Sequence, residues 1–436
     1  MRNRSFLRPA AKLACIALLA APIAGLAQDA AQAPADTAEP AATIRTLVAA
    51  MQQGDEATAT RIYGSATDPV AHVWAAMVLE RIHFHLDAAS ADAQLCENDL
   101  IDSKPGVALL CGQFRSGDLR LAGKRGDADA VERELVKRFQ GRGVDKALAN
   151  VESYLAGDEA ASPPLTYDAP ADGVSIPLKD DAWIPTFKAA ANGHDFDLML
   201  DTGANDLVLG AAQAQTFGVR PLDRKVRVGG WLSTNVHAEH GLLDELKIGG
   251  VTLHHVPVMV VPRSIALIGG NLLAPLGTLR ISHKDAALTV YGGTARAPAC
   301  GTPMVAATNV WGTSLRLLPS LLVNDKPQAV LLDTGDYQYL SGTKQALEEV
   351  TPLHRGKTAV NDIGGSHPFA NAELAKVKLT IGGQPIEMYF AVLPDSSVAQ
   401  GLAHGITLGA GALRDMDFLL DFRHGTQCFM LHPDLH

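Results

Sequence analysis

Two short runs carry the residues that could do chemistry. Leu198-Met199-Leu200-Asp201-Thr202-Gly203 and Val330-Leu331-Leu332-Asp333-Thr334-Gly335 repeat one pattern 132 residues apart in a chain of 436. A lone Asp-Thr-Gly is a weak signal. Two copies, each behind three apolar residues, are a strong one, because a solvated turn aspartate has no need of a buried strand to deliver it. Two carboxyl groups held close together in a cleft cannot both ionise, so they share one proton. The ionised member then acts as base on a water while the protonated member polarises a carbonyl. Thr202 and Thr334 each offer a hydroxyl that can fix the neighbouring loop. Gly203 and Gly335 let two backbones approach without a Cβ between them.

The elements that must position these residues repeat as well. Gly229-Gly230 and Gly364-Gly365 start 28 and 31 residues beyond their aspartates, and Ile248-Gly249-Gly250 and Ile381-Gly382-Gly383 start at 47 and 48. Leu267-Ile268-Gly269 and Thr407-Leu408-Gly409 end 68 and 76 residues after them. Landmarks in one order at nearly one spacing mean two copies of one fold. Short Val-, Ile- and Leu-rich runs punctuated by Gly-Gly, Asn-Gly and Pro give this part a β signature, divided into lobes at 174–297 and 298–436. Upstream, Ile44, Leu47, Val48 and Met51 keep helical spacing, as do Val144, Ala147, Leu148, Val151 and Leu155, and 70–86 and 131–139 also read as helices. Residues 41–157 are therefore expected as a separate all-α domain. The segment 158–173, with Pro163, Pro164 and Pro170, reads as a linker. His83 and His85 stand two apart on an expected helix, so they point in different directions rather than at one ion.

The chain opens with Arg2, Arg4, Arg8 and Lys12, followed by an apolar run from Leu13 to Leu26 and a small-residue end at Ala27. That is the pattern of a secretory signal peptide over 1–27. The run is too short for a membrane anchor and is interrupted by Pro22. Residues 28–40, rich in Ala, Pro, Gln and Asp, read as a flexible leader. Without 1–27 the chain has 33 basic residues against 47 acidic ones, a net charge near −14, which argues against nucleic acid as a partner. No later segment is apolar enough to span a bilayer, and export to the periplasm or medium is the expected localisation. Cys96, Cys111, Cys300 and Cys428 remain, an even number that favours disulfides in an exported chain. The simplest pairing is Cys96 with Cys111 and Cys300 with Cys428, although spacing does not fix the connectivity. None of them lies in a metal-type cluster, so no metal site is expected.

With these residues in view, 174–433 resembles the aspartic protease superfamily, and Leu200-Asp201-Thr202-Gly203-Ala204-Asn205-Asp206 looks especially like the active-site segment of the retropepsin group. The resemblance implies a mainly β, bilobal pepsin- or retropepsin-like acid protease fold of two similar closed lobes. It implies an extended peptide or protein substrate in the cleft between them, and a water on Asp201 and Asp333, with no metal or organic cofactor. Thr202 and Thr334 would brace the two active-site loops, with Gly203, Gly335, Gly269 and Gly409 in support. The glycine pairs fall where the family has a flap, so Gly229, Gly230, Trp231, Gly364 and Gly365 are flap candidates, one flap per lobe as in retroviral dimers. The monomer is expected to be the working unit. One departure is Asp336, where the family usually has a small or hydroxylic residue; a third carboxylate there either raises the titration of the pair or points to solvent.

Other readings fit less well. A glycosidase also uses paired carboxylates, but aromatics are only 5% of the chain, too few for a sugar cleft, and that mechanism needs no matched repeat. His237, Glu239 and His240 resemble metal ligands by type but do not form HExxH and lie in an expected hairpin. There is no GxSxG elbow. The remaining alternative is a catalytically silent, protease-like peptide-binding module with the helical domain as a partner-docking surface.

Overall fold

The computed structural model describes residues 16–19, 38–179, 182–346, 352–393 and 405–432. Helices come first: α1 Ala38–Gln53, α2 Glu56–Ser65, α3 Pro69–Ile82, α4 Leu86–Leu100, α5 Pro105–Leu121, α6 Arg125–Phe139 and α7 Asp145–Leu155. Local chemistry starts several of them. Asp55 accepts the Thr58 N–H at 3.0 Å ahead of α2, and Asp68 accepts the Ala71 N–H at 2.9 Å ahead of α3, whose first residue is Pro69. The single helix expected over 70–86 is broken at His83–His85, where Phe84 takes φ 60° and the chain turns back. The two histidines face acids rather than an ion: His83 Nε2 lies 3.1 Å from Glu56 and His85 Nδ1 2.8 Å from Glu80. Leu47, Met51, Trp74, Met77, Val78 and Phe114 form the core of these helices, and the Cys96–Cys111 disulfide ties α4 to α5.

The helical region was expected to stand apart, and it does not. Val310, from the β part of the chain, is buried in the helical core, and Phe84 packs edge-on against Phe422 with ring centroids 5.3 Å apart. The expected linker is also ordered, with a short helix at Asp158–Ala161 and a strand at Thr166–Asp168 that pairs with the first β segment. Apolar surface left by the short helices is covered by the β part, which removes more of it from water than either could alone.

The first β segment runs β1 Thr186–Ala191, β2 His194–Leu200, β3 Leu207–Gly210, β4 Arg220–Gly230, β5 Val236–Ile248, β6 Val251–Val261 and β7 Ala266–Ile268. β1–β2, β4–β5 and β5–β6 are hairpins. β7 threads between β2, which it meets in parallel, and β3, which it meets antiparallel. The second passes through the same order: β8 Ser320–Val323, β9 Lys326–Ala329, β10 Leu331–Asp333, β11 Leu340–Thr343, β12 Pro352–Asp362, β13 Gly365–Ile381, β14 Gln384–Leu393 and β15 Ile406–Gly409. Here β15 threads in parallel beside β10 and antiparallel beside β11. A five-stranded antiparallel sheet closes the base, ordered Thr426–Leu431, Met416–Asp421, Thr278–Ser282, Ala287–Tyr291, Val174–Pro177. It mixes strands from both ends of the β part, and Cys300–Cys428 fastens its edge. The chain is thus mainly β with an N-terminal helical region.

Most of the expected signal peptide and leader lies outside the described residues. Ile16–Leu19 is a strand between β4, with Leu18 opposite Gly230, and β12, with Ile16 opposite Asn361, and α1 begins at Ala38, inside the expected leader. No helix among the described residues is long and apolar enough to cross a membrane.

Candidate active site

The apolar residues before each aspartate explain its position. Leu198, Leu200, Val330, Leu331 and Leu332 are all buried, so β2 and β10 run through the core and release Asp201 and Asp333 at their C-terminal ends. Both aspartates are fully buried. Gly203 stands directly against the opposite carboxyl group: a Cβ there would lie 2.5 Å from Asp333 Cγ. No other residue type leaves room for the two loops to meet.

The threonines lock that meeting by exchange. The Thr202 hydroxyl donates to the Leu332 carbonyl at 2.8 Å and accepts the Thr334 N–H at 3.0 Å; the Thr334 hydroxyl donates to the Leu200 carbonyl at 2.8 Å and accepts the Thr202 N–H at 3.0 Å. Four backbone groups that would otherwise be orphaned in a dry junction are satisfied by two side chains. Gly269 and Gly409 bring the threading strands close beneath. A Cβ on Gly269 would lie 2.4 Å from the Asn205 carbonyl carbon, and one on Gly409 2.3 Å from the Gln338 oxygen.

One oxygen of each carboxyl group is held by its own loop. Asp201 Oδ1 accepts the N–H groups of Gly203 and Ala204 at 3.0 and 3.1 Å, and Asp333 Oδ1 accepts that of Gly335 at 2.9 Å. Both Oδ2 atoms are buried and, apart from the bond between the two carboxyl groups themselves, take no donor among the described residues. Burial pushes Asp201 well above the usual carboxylate range, and the Asp333 charge and a hydrogen bond to it push the same way, against the two loop N–H groups. Burial likewise raises Asp333, helped by the charge of Asp336 and opposed by its bond to Asp201 and by N–H groups of its loop. Protons therefore leave the pair in steps that belong to both residues.

Asp336 does not point to solvent. It is 6% exposed, accepts the Gln338 N–H at 2.9 Å and the Ser341 hydroxyl at 2.6 Å, and adds its charge to the field at Asp333.

The glycine pairs lie at the tips of the β4–β5 and β12–β13 hairpins, and the tips cross. Trp231, 3% exposed, leaves the first hairpin to join a cluster with Leu331, Val360 and Leu393, whereas Ile363, 1% exposed, leaves the second to join Ala204, Val208 and Leu267. Asp362 fastens the crossing. Its Oδ2 accepts the N–H groups of Leu232 and Ser233, both at 2.8 Å, and its Oδ1 accepts the Ser233 hydroxyl at 2.8 Å and the Gly364 N–H at 2.9 Å, with His367 Nε2 at 3.1 Å. Burial pushes the Asp362 carboxyl up, but these donors outweigh it and the group titrates below its ordinary range. A Cβ on Gly230 would meet Asp362 Cγ at 2.7 Å, and one on Gly364 would meet the Ser233 hydroxyl at 2.0 Å, so both glycines are needed for the close crossing itself, beyond any turn geometry. Arg263 adds a clasp from the first segment, donating to the Asp362 and Gly365 carbonyls.

Asn205, Ser233, Arg263, Asp362 and Ile363 were not singled out in the sequence. For Asn205 a signal was present, since it stands two residues beyond the first Asp-Thr-Gly, within the run 200–206 that resembles the retropepsin segment. The others are single polar or apolar residues whose partners across the crossing lie about a hundred or more positions away in the chain. His237, Glu239 and His240 lie on β5, and no group of three or more potential metal ligands occurs among the described residues.

Residues 187–273, which contain the first Asp-Thr-Gly and its threading strand, match the family model described as aspartyl protease. Among solved structures, the chain is similar to a retropepsin-like aspartic protease from Rickettsia conorii, with 20% identity over 30% of this chain and 97% of that one and a TM-score of 0.22. It is also similar to the EIAV protease complexed with the inhibitor HBY-793, with 24% identity over 21% of this chain and 88% of that one and a TM-score of 0.19. No curated protein matches the chain. That match supports a relationship to aspartyl proteases for the stretch 187–273.

Proposed function

We propose that this chain is a single-chain, two-lobed aspartic endopeptidase in which Asp201 and Asp333 hold one proton between them and activate a water for attack on a peptide carbonyl. The observation that carries this reading is the threonine exchange: two fully buried carboxyl groups are pressed together by reciprocal bonds from Thr202 and Thr334, at a cost that a purely structural loop has no reason to bear. The ionised carboxylate takes a proton from the water as its oxygen bonds to the carbonyl carbon. The protonated carboxyl group gives its proton to the carbonyl oxygen, leaving a neutral tetrahedral diol. As that collapses, one diol hydroxyl returns its proton to the pair, the C–N bond breaks and the amine nitrogen receives a proton from the pair, so that one proton remains shared between Asp201 and Asp333. Neither metal nor cofactor is needed for that cycle.

The crossed hairpins are the roof of the cleft in this reading, and an extended peptide binds beneath them. The exported, periplasmic or secreted location, action as a monomer, and a protein partner for the helical region belong to the same proposal, on the sequence pattern alone. The test is turnover of denatured protein by the mature chain between about pH 3 and pH 7, with and without a statine-type inhibitor. Wild type is expected to cleave and to be inhibited. Asp201→Asn and Asp333→Asn should each lose on the order of 10⁴-fold in turnover. Cleavage that survives either substitution refutes the assignment, and peptide binding without cleavage by the wild type replaces it with a silent binding module.

A further inference from the structure

We propose that the helical region is a brace for the Asp201 loop, with Arg81 as a positioning residue that acts through the tip, 309–314, of the hairpin formed by the antiparallel strands Ala306–Thr308 and Leu315–Leu317. Arg81 is fully buried at the end of α3. Its guanidinium lies 3.4 Å over the Phe114 ring and donates to Asp118 Oδ1 at 2.6 Å and to the Phe114 carbonyl. Its remaining donor, Nη1, reaches out of the helices to the carbonyls of Asn309 and Val310 at 3.1 and 3.2 Å. A buried guanidinium stays charged only if its donors are used, so these two carbonyls tie the tip to α3.

The same tip lies against α5 with no side chain between. A Cβ on Gly117 would meet the Val310 oxygen at 2.1 Å, and one on Gly312, at φ +65°, would meet the Gly117 oxygen at 2.1 Å. The turn is rigid in itself: Asn309 accepts the Thr313 N–H and donates to the Thr313 hydroxyl, both at 2.9 Å. From the turn the path runs to the carboxyl loop. The Thr313 carbonyl accepts from Asn271 at 3.0 Å, and the Leu315 N–H donates to Asn205 Oδ1 at 3.0 Å. Asn205 is 4% exposed and stands two residues beyond Gly203, whose N–H is bonded to Asp201. The Asn205 carbonyl in turn accepts the Asn271 N–H at 2.8 Å. A run of polar contacts thus joins α3 and α5 to the loop that aims Asp201. Its two ends, Arg81 to Val310 and Leu315 to Asn205, are buried, while the Asn309–Thr313 and Asn271–Thr313 bonds between them are exposed, so the buried ends are where a lost partner cannot be replaced by water.

The proposal rests on the proposed carboxyl-pair chemistry only for its effect on rate. Its test is hydrogen exchange on the full chain, comparing wild type with Gly312→Ala, which wedges the tip off α5 without altering a charge, and with the double variant Arg81→Met, Asp118→Leu, which removes the buried pair without leaving one charge alone. Exchange at the Leu315 and Ala204 amides is expected to quicken by about tenfold while α1 and α6 keep their protection. Wherever turnover is measurable, kcat should fall with KM little changed. If the tip at 309–313 loosens and 203–205 does not, the brace is refuted, and turnover by the wild type then leaves the proposed function standing. If the wild type cleaves nothing, the exchange result still decides the brace. Should the double variant fail to fold, Gly312→Ala alone gives the same reading.

Discussion

Replacing Thr334 by valine keeps the shape of the side chain and removes one hydroxyl from the junction between the two Asp-Thr-Gly loops. That hydroxyl donates to the Leu200 carbonyl at 2.8 Å and accepts the Thr202 N–H at 3.0 Å. Thr334 has no exposed surface and Thr202 is 3% exposed, so water cannot replace it. Each buried group left without a partner costs about 1–3 kcal/mol, which makes about 2–6 kcal/mol for the two. Part of that cost is avoided if the loops move apart, and movement is what the chemistry cannot tolerate: a shift of about 1 Å between reacting groups is worth on the order of a hundredfold in rate. The assay compares Thr334→Val, Thr334→Ser, Thr202→Val and the double valine variant in melting, in exchange of the Thr202 amide, and in kcat. Serine keeps the hydroxyl and should stay near wild type. Either valine should lose stability and turnover together, and the double variant should lose less than the sum of the two, because the loops part once either bond set is gone. Thr334→Val with wild-type turnover and a stability change within about 0.5 kcal/mol would refute the view that these hydroxyls hold the carboxyl pair in place.

Other outcomes follow from the same geometry. Because the pair titrates above its unfolded range, the native state holds more protons than the unfolded one between that range and the raised values, and stability falls as pH rises through this window. Asp201→Asn should therefore melt above wild type at neutral pH, with the gap closing as pH falls toward about 4, and a melting curve with no such convergence counts against the raised titration. Asp336→Asn keeps an acceptor for the Gln338 N–H but removes the charge facing Asp333, so the pH–rate profile should move to lower pH; an unmoved profile means that this charge does not reach the pair. Asp362→Ala removes the acceptor for the Leu232 and Ser233 N–H groups and the Ser233 hydroxyl, and exchange at those two amides should quicken on the order of tenfold or more while the β4–β5 strands stay protected. Unchanged exchange there would mean that the hairpin tips are held by Trp231 and Ile363 burial alone.

Much of the pair and its approach was legible in the residues themselves. An apolar run before each aspartate dictates a buried strand, a glycine after each threonine permits close backbones, and the recurrence of Gly-Gly and apolar-apolar-Gly landmarks sets the order of hairpins and threading strands. These are properties of neighbours and of period, which a chain carries whatever its fold. The break between α3 and α4 was not legible, because Phe84 adopts its positive φ only when the helices fold back on one another. Nor was the direction of Asp336, whose type permits either solvent or burial and whose partners, Gln338 and Ser341, became acceptable only inside the closed loop. The independence expected of the helical region fails for a similar reason: nothing near Arg81 in the chain shows that its donors will be used by Asn309 and Val310, 228 and 229 positions away. Hydrogen bonds between distant segments leave no local pattern, since one arginine, one aspartate or one asparagine looks the same whether it meets water or a buried carbonyl. Sequence therefore determined which groups could react and on what strands they arrive. Tertiary packing decided what holds them there beyond the two threonines, because burial is what turns an ordinary polar side chain into a fixed joint.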